Sequence, residues 1–123
     1  MDHNIHTYIA PGRRAHLVGI GGVSMSPLAE VLHGAGMVIT GSDMREGPAV
    51  AHLRSLGIPV AIGHREENVG DAELVIRTAA VHDSNPEIAA ARARGIPVFE
   101  RAQAWGAIMK GYQNALCISG THG

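Results

Sequence analysis

Two glycine-rich stretches of this chain have the residue types and spacing to handle phosphate. The first is Gly19-Ile20-Gly21-Gly22-Val23-Ser24. Gly19 and Gly21 permit a tight turn and a close backbone approach to a diphosphate, and the N-terminus of a following helix favours its negative charge. Ser24 stands where the third glycine of a G-x-G-x-x-G pattern would be. Ser42-Asp43 follows, with Asp43 19 residues after Ser24. That is the region in which a carboxylate receives ribose hydroxyls. A ligand-free turn between strand and helix is the plainer alternative. The second stretch is the terminal Gly120-Thr121-His122-Gly123, behind the apolar run Ala115-Leu116-Cys117-Ile118-Ser119. It matches the opening of an ATP-type phosphate loop whose lysine would come next. A flexible terminus fits the same four residues.

Other polar groups fall near the ends of apolar runs: His64 with Asn68, Thr78 with Ala79-Ala80, Asn85-Pro86-Glu87, and Arg101. Each has a bland reading as a surface histidine, a small-residue turn, a helix cap and a solvated arginine. The eight histidines and single cysteine show no zinc-ligand spacing. No Ser-His-Asp or Cys-His arrangement is arguable from the spacing. These residues describe a binding module, with no catalytic and no metal-ligating residue assigned.

The elements that must position these groups alternate. Apolar runs at Ala15–Ile20, Met37–Ser42, Ile58–Ile62, Leu74–Thr78, Ile96–Phe99 and Ala115–Ser119 read as six strands. Between them, Met25, Leu28, Ala29 and Leu32 recur at i, i+3, i+4 and i+7, one face of a helix over Met25–Gly34. Ser24 or Ser26 is its candidate cap. Further helices are predicted over Pro48–Leu56, from Asn85-Pro86 to Gly95, and over Ala102–Met109, with Asn85 as cap and Pro86 at the first position. Alternating strands and helices of about this length predict an α/β domain with a Rossmann-like, mainly parallel sheet and helices on both faces. The organisation expected is a leader over 1–14, one domain over 15–119, and the start of a further phosphate loop over 120–123.

Composition narrows the classes. A net charge of −1 and four scattered aromatics give neither an electrostatic footprint nor a stacking platform for nucleic acid. No run approaches the roughly 18 apolar residues of a membrane span, and the N-terminus lacks a signal-peptide plan. Cys117 reads as a buried small hydrophobe. The expectation is a cytoplasmic protein that binds neither nucleic acid nor membrane.

With these blocks in hand, His16-Leu17-Val18-Gly19-Ile20-Gly21-Gly22-Val23-Ser24-Met25-Ser26 resembles the opening of the Mur ligases. Five further blocks follow in that family's order: Gly41-Ser42-Asp43, Gly63-His64 with Asn68, Thr78-Ala79-Ala80-Val81 with Asn85-Pro86-Glu87, Gly95-Ile96-Pro97-Val98 with Arg101-Ala102, and Ser119–Gly123. The chain departs from the family at Ser24-Met25-Ser26-Pro27, usually Gly-Met-Ser-Gly, and at Arg77-Thr78, usually Ser-Ser. The resemblance implies a domain that binds UDP-N-acetylmuramate. Gly21, Gly22 and Ser24 would hold the diphosphate through backbone N–H groups, with Gly19 and Val23 also binding substrate. Asp43 with Ser42 would take the uridine ribose or base, and His64, Thr78, Asn85 and Arg101 are candidates for the sugar and phosphates. It also implies that Gly120, Thr121, His122 and Gly123 begin an ATP loop. ATP and Mg²⁺ are then cofactors of a longer parent, none belonging to this stretch, and L-alanine is met by other domains. Alone, the stretch is expected to bind weakly and turn nothing over. Two alternatives are a related ligase that attaches a whole peptide, and an NAD(P)-binding or redox-sensing module.

Overall fold

The structure, a computed structural model, describes residues 5–119, with the backbone alone over 111–119. A short helix α1 (Ile5–Tyr8) leads into β1 (Arg14–Val18), α2 (Met25–Gly34), β2 (Val38–Asp43), α3 (Pro48–Ser55) and β3 (Val60–Ile62). A 3-10 turn (Glu66–Val69), β4 (Leu74–Arg77), α4 (Pro86–Ala93), β5 (Val98–Glu100) and α5 (Arg101–Ser119) complete it. The five strands pair in parallel in the order β3-β2-β1-β4-β5. Strand order reverses between β1 and β4, and in a sheet of this kind ligands bind beyond the carboxyl ends at that reversal.

Side-chain alternation along the strands divides the core in two. Ala15 and Leu17 of β1 and Leu74 and Ile76 of β4 pack with Leu28, Leu32, Leu53 and Ala104 of α2, α3 and α5. Val18 of β1 and Val75 of β4 turn the other way, onto Val69, Ile88 and Ala91. His16 shares that second face, beneath α4, and is 1% exposed. The four apolar positions that predict α2 are all fully buried. Ser24 occupies the N-cap position of α2 without a side-chain cap bond. Asn85 does cap α4: its side chain accepts the Glu87 N–H at 2.9 Å.

One predicted strand does not form. Ala115–Ser119 continues α5, which begins at Arg101 and ends at Ser119. A five-residue apolar run satisfies helical and strand periods alike. Extending a nucleated helix adds a bond per residue, whereas a sixth strand must leave the helix and pair along β5. Residues 120–123 lie outside the described residues.

Gly41 in β2 passes directly under Ile20, so an alanine there would place its Cβ 2.7 Å from the Ile20 Cβ. Ile20 is fully buried and has no room to withdraw. Gly41→Ala should cost about 1–3 kcal/mol by overpacking. Gly34→Ala, whose Cβ meets nothing within 4 Å, should be neutral or stabilising by up to about 1 kcal/mol. Urea denaturation of both variants measures this; equal effects would remove the packing argument.

Candidate functional site

A cleft of about 620 Å³ opens at the carboxyl ends of the strands, within the usual range for a small-molecule site. Gly19 and Gly22 form its floor beside β1, Asp43 and Met44 its β2 side, and His64 the end of β3. The far wall is the loop after β4, from Thr78 through Ala80, Val81, His82 and Ser84 to Asn85 and Pro86. Six of the eleven substrate residues predicted from sequence therefore line one cleft: Gly19, Gly22, Asp43, His64, Thr78 and Asn85. The other five lie elsewhere. Gly21 sits behind Asp43, Ser42 lies below the floor with no exposure, and Val23 stands almost fully exposed at the loop tip. Ser24 and Arg101 face each other at the back of the loop, with the Arg101 guanidinium donating to the Ser24 Oγ at 3.0 Å. Trp105 Nε1 reaches the Ser24 carbonyl at 3.4 Å, so α5 braces the loop.

Hydrogen bonding within the loop changes which N–H groups it offers. The Gly21 N–H donates to Asp43 Oδ2 at 2.8 Å, and the Gly22 N–H to the Gly19 carbonyl at 3.1 Å. The N–H groups of Val23 and Ser24 have no acceptor among the described residues. They precede the first turn of α2, where the helix dipole favours an anion. A Cβ at Gly21 would lie 2.8 Å from Asp43 Oδ2. Glycine at 21 thus lets the carboxylate close on the loop. Asp43 also accepts the Met44 N–H at 2.7 Å on its other oxygen, leaving lone pairs toward the cleft.

Beneath the floor lies a polar cluster that the spacing of residues does not reveal. Glu87, in the first turn of α4, is completely buried. Its Oε1 accepts from His16 Nε2 and from the Ser42 hydroxyl, both at 2.6 Å. Its Oε2 accepts from Asn68 Nδ2 at 2.8 Å and the Arg65 N–H at 3.0 Å, with His64 Nδ1 at 3.3 Å. His16 Nδ1 lies 2.8 Å from the Thr40 hydroxyl, and His64 Nδ1 lies 3.0 Å from Ser42 Oγ. Burial by itself would push the Glu87 carboxyl up. The hydrogen bonds from His16, Ser42 and Asn68 outweigh it and hold the group down at about 2. Sequence reading took Asn85-Pro86-Glu87 as a cap and left His16 among the strand residues. The only signal was a histidine inside an apolar strand.

The far wall is braced separately. Arg77 pairs with Asp83 across the loop after β4, with Arg92 3.5 Å from the same carboxylate oxygen. The Arg77 side chain holds Asp83 below the usual carboxylate range. The Arg77 Nε is buried without a hydrogen bond. Among the described residues no group of three or more His, Cys, Asp or Glu converges on a metal position. No described helix is long and apolar enough to cross a membrane.

The Glu87 cluster makes stability fall in acid. The carboxyl titrates near 2 in the folded chain, against 4.5 ordinarily. Its contribution is therefore complete above about pH 4.5 and disappears as pH falls toward 2, a loss on the order of 3 kcal/mol. Glu87→Gln puts an N–H among donors and should cost about 3–5 kcal/mol at pH 7, with the gap to the unmodified chain closing through that acid window. Urea midpoints at a series of pH values measure it; a constant gap would rule out ionised Glu87 as the source.

The Mur ligase family model, described as its catalytic domain, matches residues 14–113. The UDP-N-acetylmuramate–L-alanine ligase of Acetivibrio thermocellus is 48% identical over 111 residues, 90% of this chain and 24% of that protein. Among solved structures, the UDP-N-acetylmuramate-alanine ligase of Thermotoga maritima superposes with a TM-score of 0.77 at 40% identity, covering 79% of this chain and 23% of its own. The UDP-N-acetylmuramate:L-alanyl-gamma-D-glutamyl-meso-diaminopimelate ligase of Neisseria meningitides gives 0.68 at 25% identity, over 73% and 29%. The chain spans about a quarter of the length of the curated relatives it matches. With 14–113 matched by the family model and the parallel sheet shared with its solved members, the chain belongs to the Mur ligase family.

Proposed function

We propose that this chain is the UDP-N-acetylmuramate-binding domain of an ATP-dependent ligase that joins L-alanine to that sugar nucleotide. The observation that carries this reading is near-half identity to UDP-N-acetylmuramate–L-alanine ligases, sustained across 90% of the chain. The peptide-attaching ligase is less favoured because its solved relative is 25% identical where the alanine ligase is 40%.

On this reading the diphosphate lies at the N-terminus of α2, on the free N–H groups of Val23 and Ser24, while Gly21 and Gly22 shape the loop. The apolar Met44, Val81 and Pro86 suit a base, and Asp43, Thr78 and Asn85 offer partners for hydroxyl and amide groups. Arg101 acts through Ser24, holding the loop rather than the phosphate. The cleft binds and orients. ATP consumption, Mg²⁺ and the attack of the alanine amine belong to the length of the relatives that this chain does not span. The described residues supply no carboxylate cluster for such a metal, so no step is assigned to them. The chain alone should therefore bind UDP-N-acetylmuramate weakly, since preorganisation and contacts from other domains are missing, and should not form the amide.

Thermal-shift titration with UDP, UDP-N-acetylmuramate and NADH tests the proposal. Stabilisation by the two uridine ligands is expected; stabilisation by NADH alone would favour the dinucleotide module instead. Asp43→Ala removes both the cleft carboxylate and the acceptor of the Gly21 N–H. It should weaken UDP binding by about tenfold or more while the domain stays folded. Unchanged affinity measured by calorimetry would remove Asp43 from the site.

A further inference from the structure

We infer that Glu87 is a positioning residue that decides what His64 offers the cleft: the proton of the neutral imidazole is held on Nδ1, and Nε2 meets the ligand as a hydrogen-bond acceptor. The inference deepens the sugar-nucleotide reading and rests on it for the ligand, but not for the state of the ring. In the neutral ring it assigns His64 to a hydroxyl or N–H of the ligand, such as a ribose hydroxyl or the imide N–H of the base, and not to a phosphate.

A count of hydrogens carries the argument. The Ser42 hydroxyl has one hydrogen, and the 2.6 Å contact with Glu87 Oε1 commits it to the carboxylate. Ser42 Oγ then meets His64 Nδ1 at 3.0 Å only as an acceptor, so Nδ1 must carry the proton. The second contact of Nδ1, with Glu87 Oε2 at 3.3 Å, demands the same, because an unprotonated nitrogen there would set a lone pair against a carboxylate. The carboxylate is in turn ionised and immobile. His16, Asn68 and the Arg65 N–H fill its remaining acceptor positions, and the Glu87 side chain itself is wholly buried. Asp43 and His82 are the other charged or titratable residues that line the cleft with His64. His64 itself lines the cleft, with 14% of its side chain exposed. The ring edge opposite Nδ1 carries Nε2, which has no partner among the described residues. An isolated neutral histidine prefers the proton on Nε2, so the network reverses the intrinsic tautomer. Which nitrogen bears the proton is set by the bond the other makes.

Long-range ¹H–¹⁵N spectra of the labelled 123-residue chain at about pH 8, where an imidazole is mostly neutral, read the tautomer directly. His64 with its proton on Nδ1 is the expected result, and a proton mainly on Nε2 would overturn the inference. In Glu87→Gln the His64 signal should move toward the Nε2–H form; an unchanged tautomer would show that Glu87 does not set it. Should that variant fail to fold, the unmodified chain's spectrum decides. Calorimetry with UDP supplies a second arm. His64→Lys, a donor only, should bind UDP about tenfold more weakly than the parent. Equal or tighter binding by His64→Lys would make His64 a phosphate donor and overturn the assignment. Failure of the parent chain to bind UDP would count against the sugar-nucleotide reading, while the spectrum would still decide the ring.

Discussion

The structure depends on a carboxylate that water never reaches. Glu87 enters from α4 and collects donors from β1, from β2 and from the segment that follows β3. A buried charge is tolerated only when it is fully hydrogen-bonded, and removing any one partner leaves the remainder uncompensated. The position of each element is therefore constrained by the same two oxygen atoms. A hydrophobic core tolerates small sliding movements, but directional bonds of 2.6–3.0 Å do not. The register of α4 over β1 and β2 is thereby set more sharply than packing of Val75 on Ile88 and Ala91 would set it.

The cleft is built outward from that anchor. His64 belongs to both, with one ring nitrogen in the cluster and the ring itself on the cleft wall. Asn85 caps the helix that carries Glu87 and also lines the cleft, so one short segment fixes the anchor and part of the site. On the other side the glycine-rich loop is held twice, by Asp43 through the Gly21 N–H and by Arg101 through Ser24. Rigid supports of this kind reduce the ordering cost that a ligand would otherwise meet. They also place polar residues that resemble ligand contacts into structural service.

A parallel sheet in the order β3-β2-β1-β4-β5 hosts many unrelated functions, so the fold alone does not name a ligand. In this chain the Rossmann-like parts bear directly on one another. The acidic residue at the end of β2 closes on the glycine-rich loop as well as facing the cleft. The Gly21 and Gly22 N–H groups are taken up within the structure, and those of Val23 and Ser24 have no acceptor among the described residues.

The elements were legible in the sequence wherever period and punctuation agreed. Met25, Leu28, Ala29 and Leu32 marked a helical face, Asn85-Pro86 marked a helix start, and the short apolar runs between glycines marked five parallel strands. Those signals are local, carried by neighbours within one or two turns. Ala115–Ser119 shows their limit, because five apolar residues do not tell a strand from the end of a helix. The sequence also located the loops that line the cleft, since loops at the carboxyl ends of strands follow from alternation alone. Tertiary structure decided which of the loop residues meet. It tied Ser42 to Glu87 and Arg101 to Ser24, and it joined His16 to Glu87 across 71 positions of chain. Hydrogen-bond partnership across a sheet depends on strand order and on which face each residue takes, and neither is encoded in the spacing of the residues themselves.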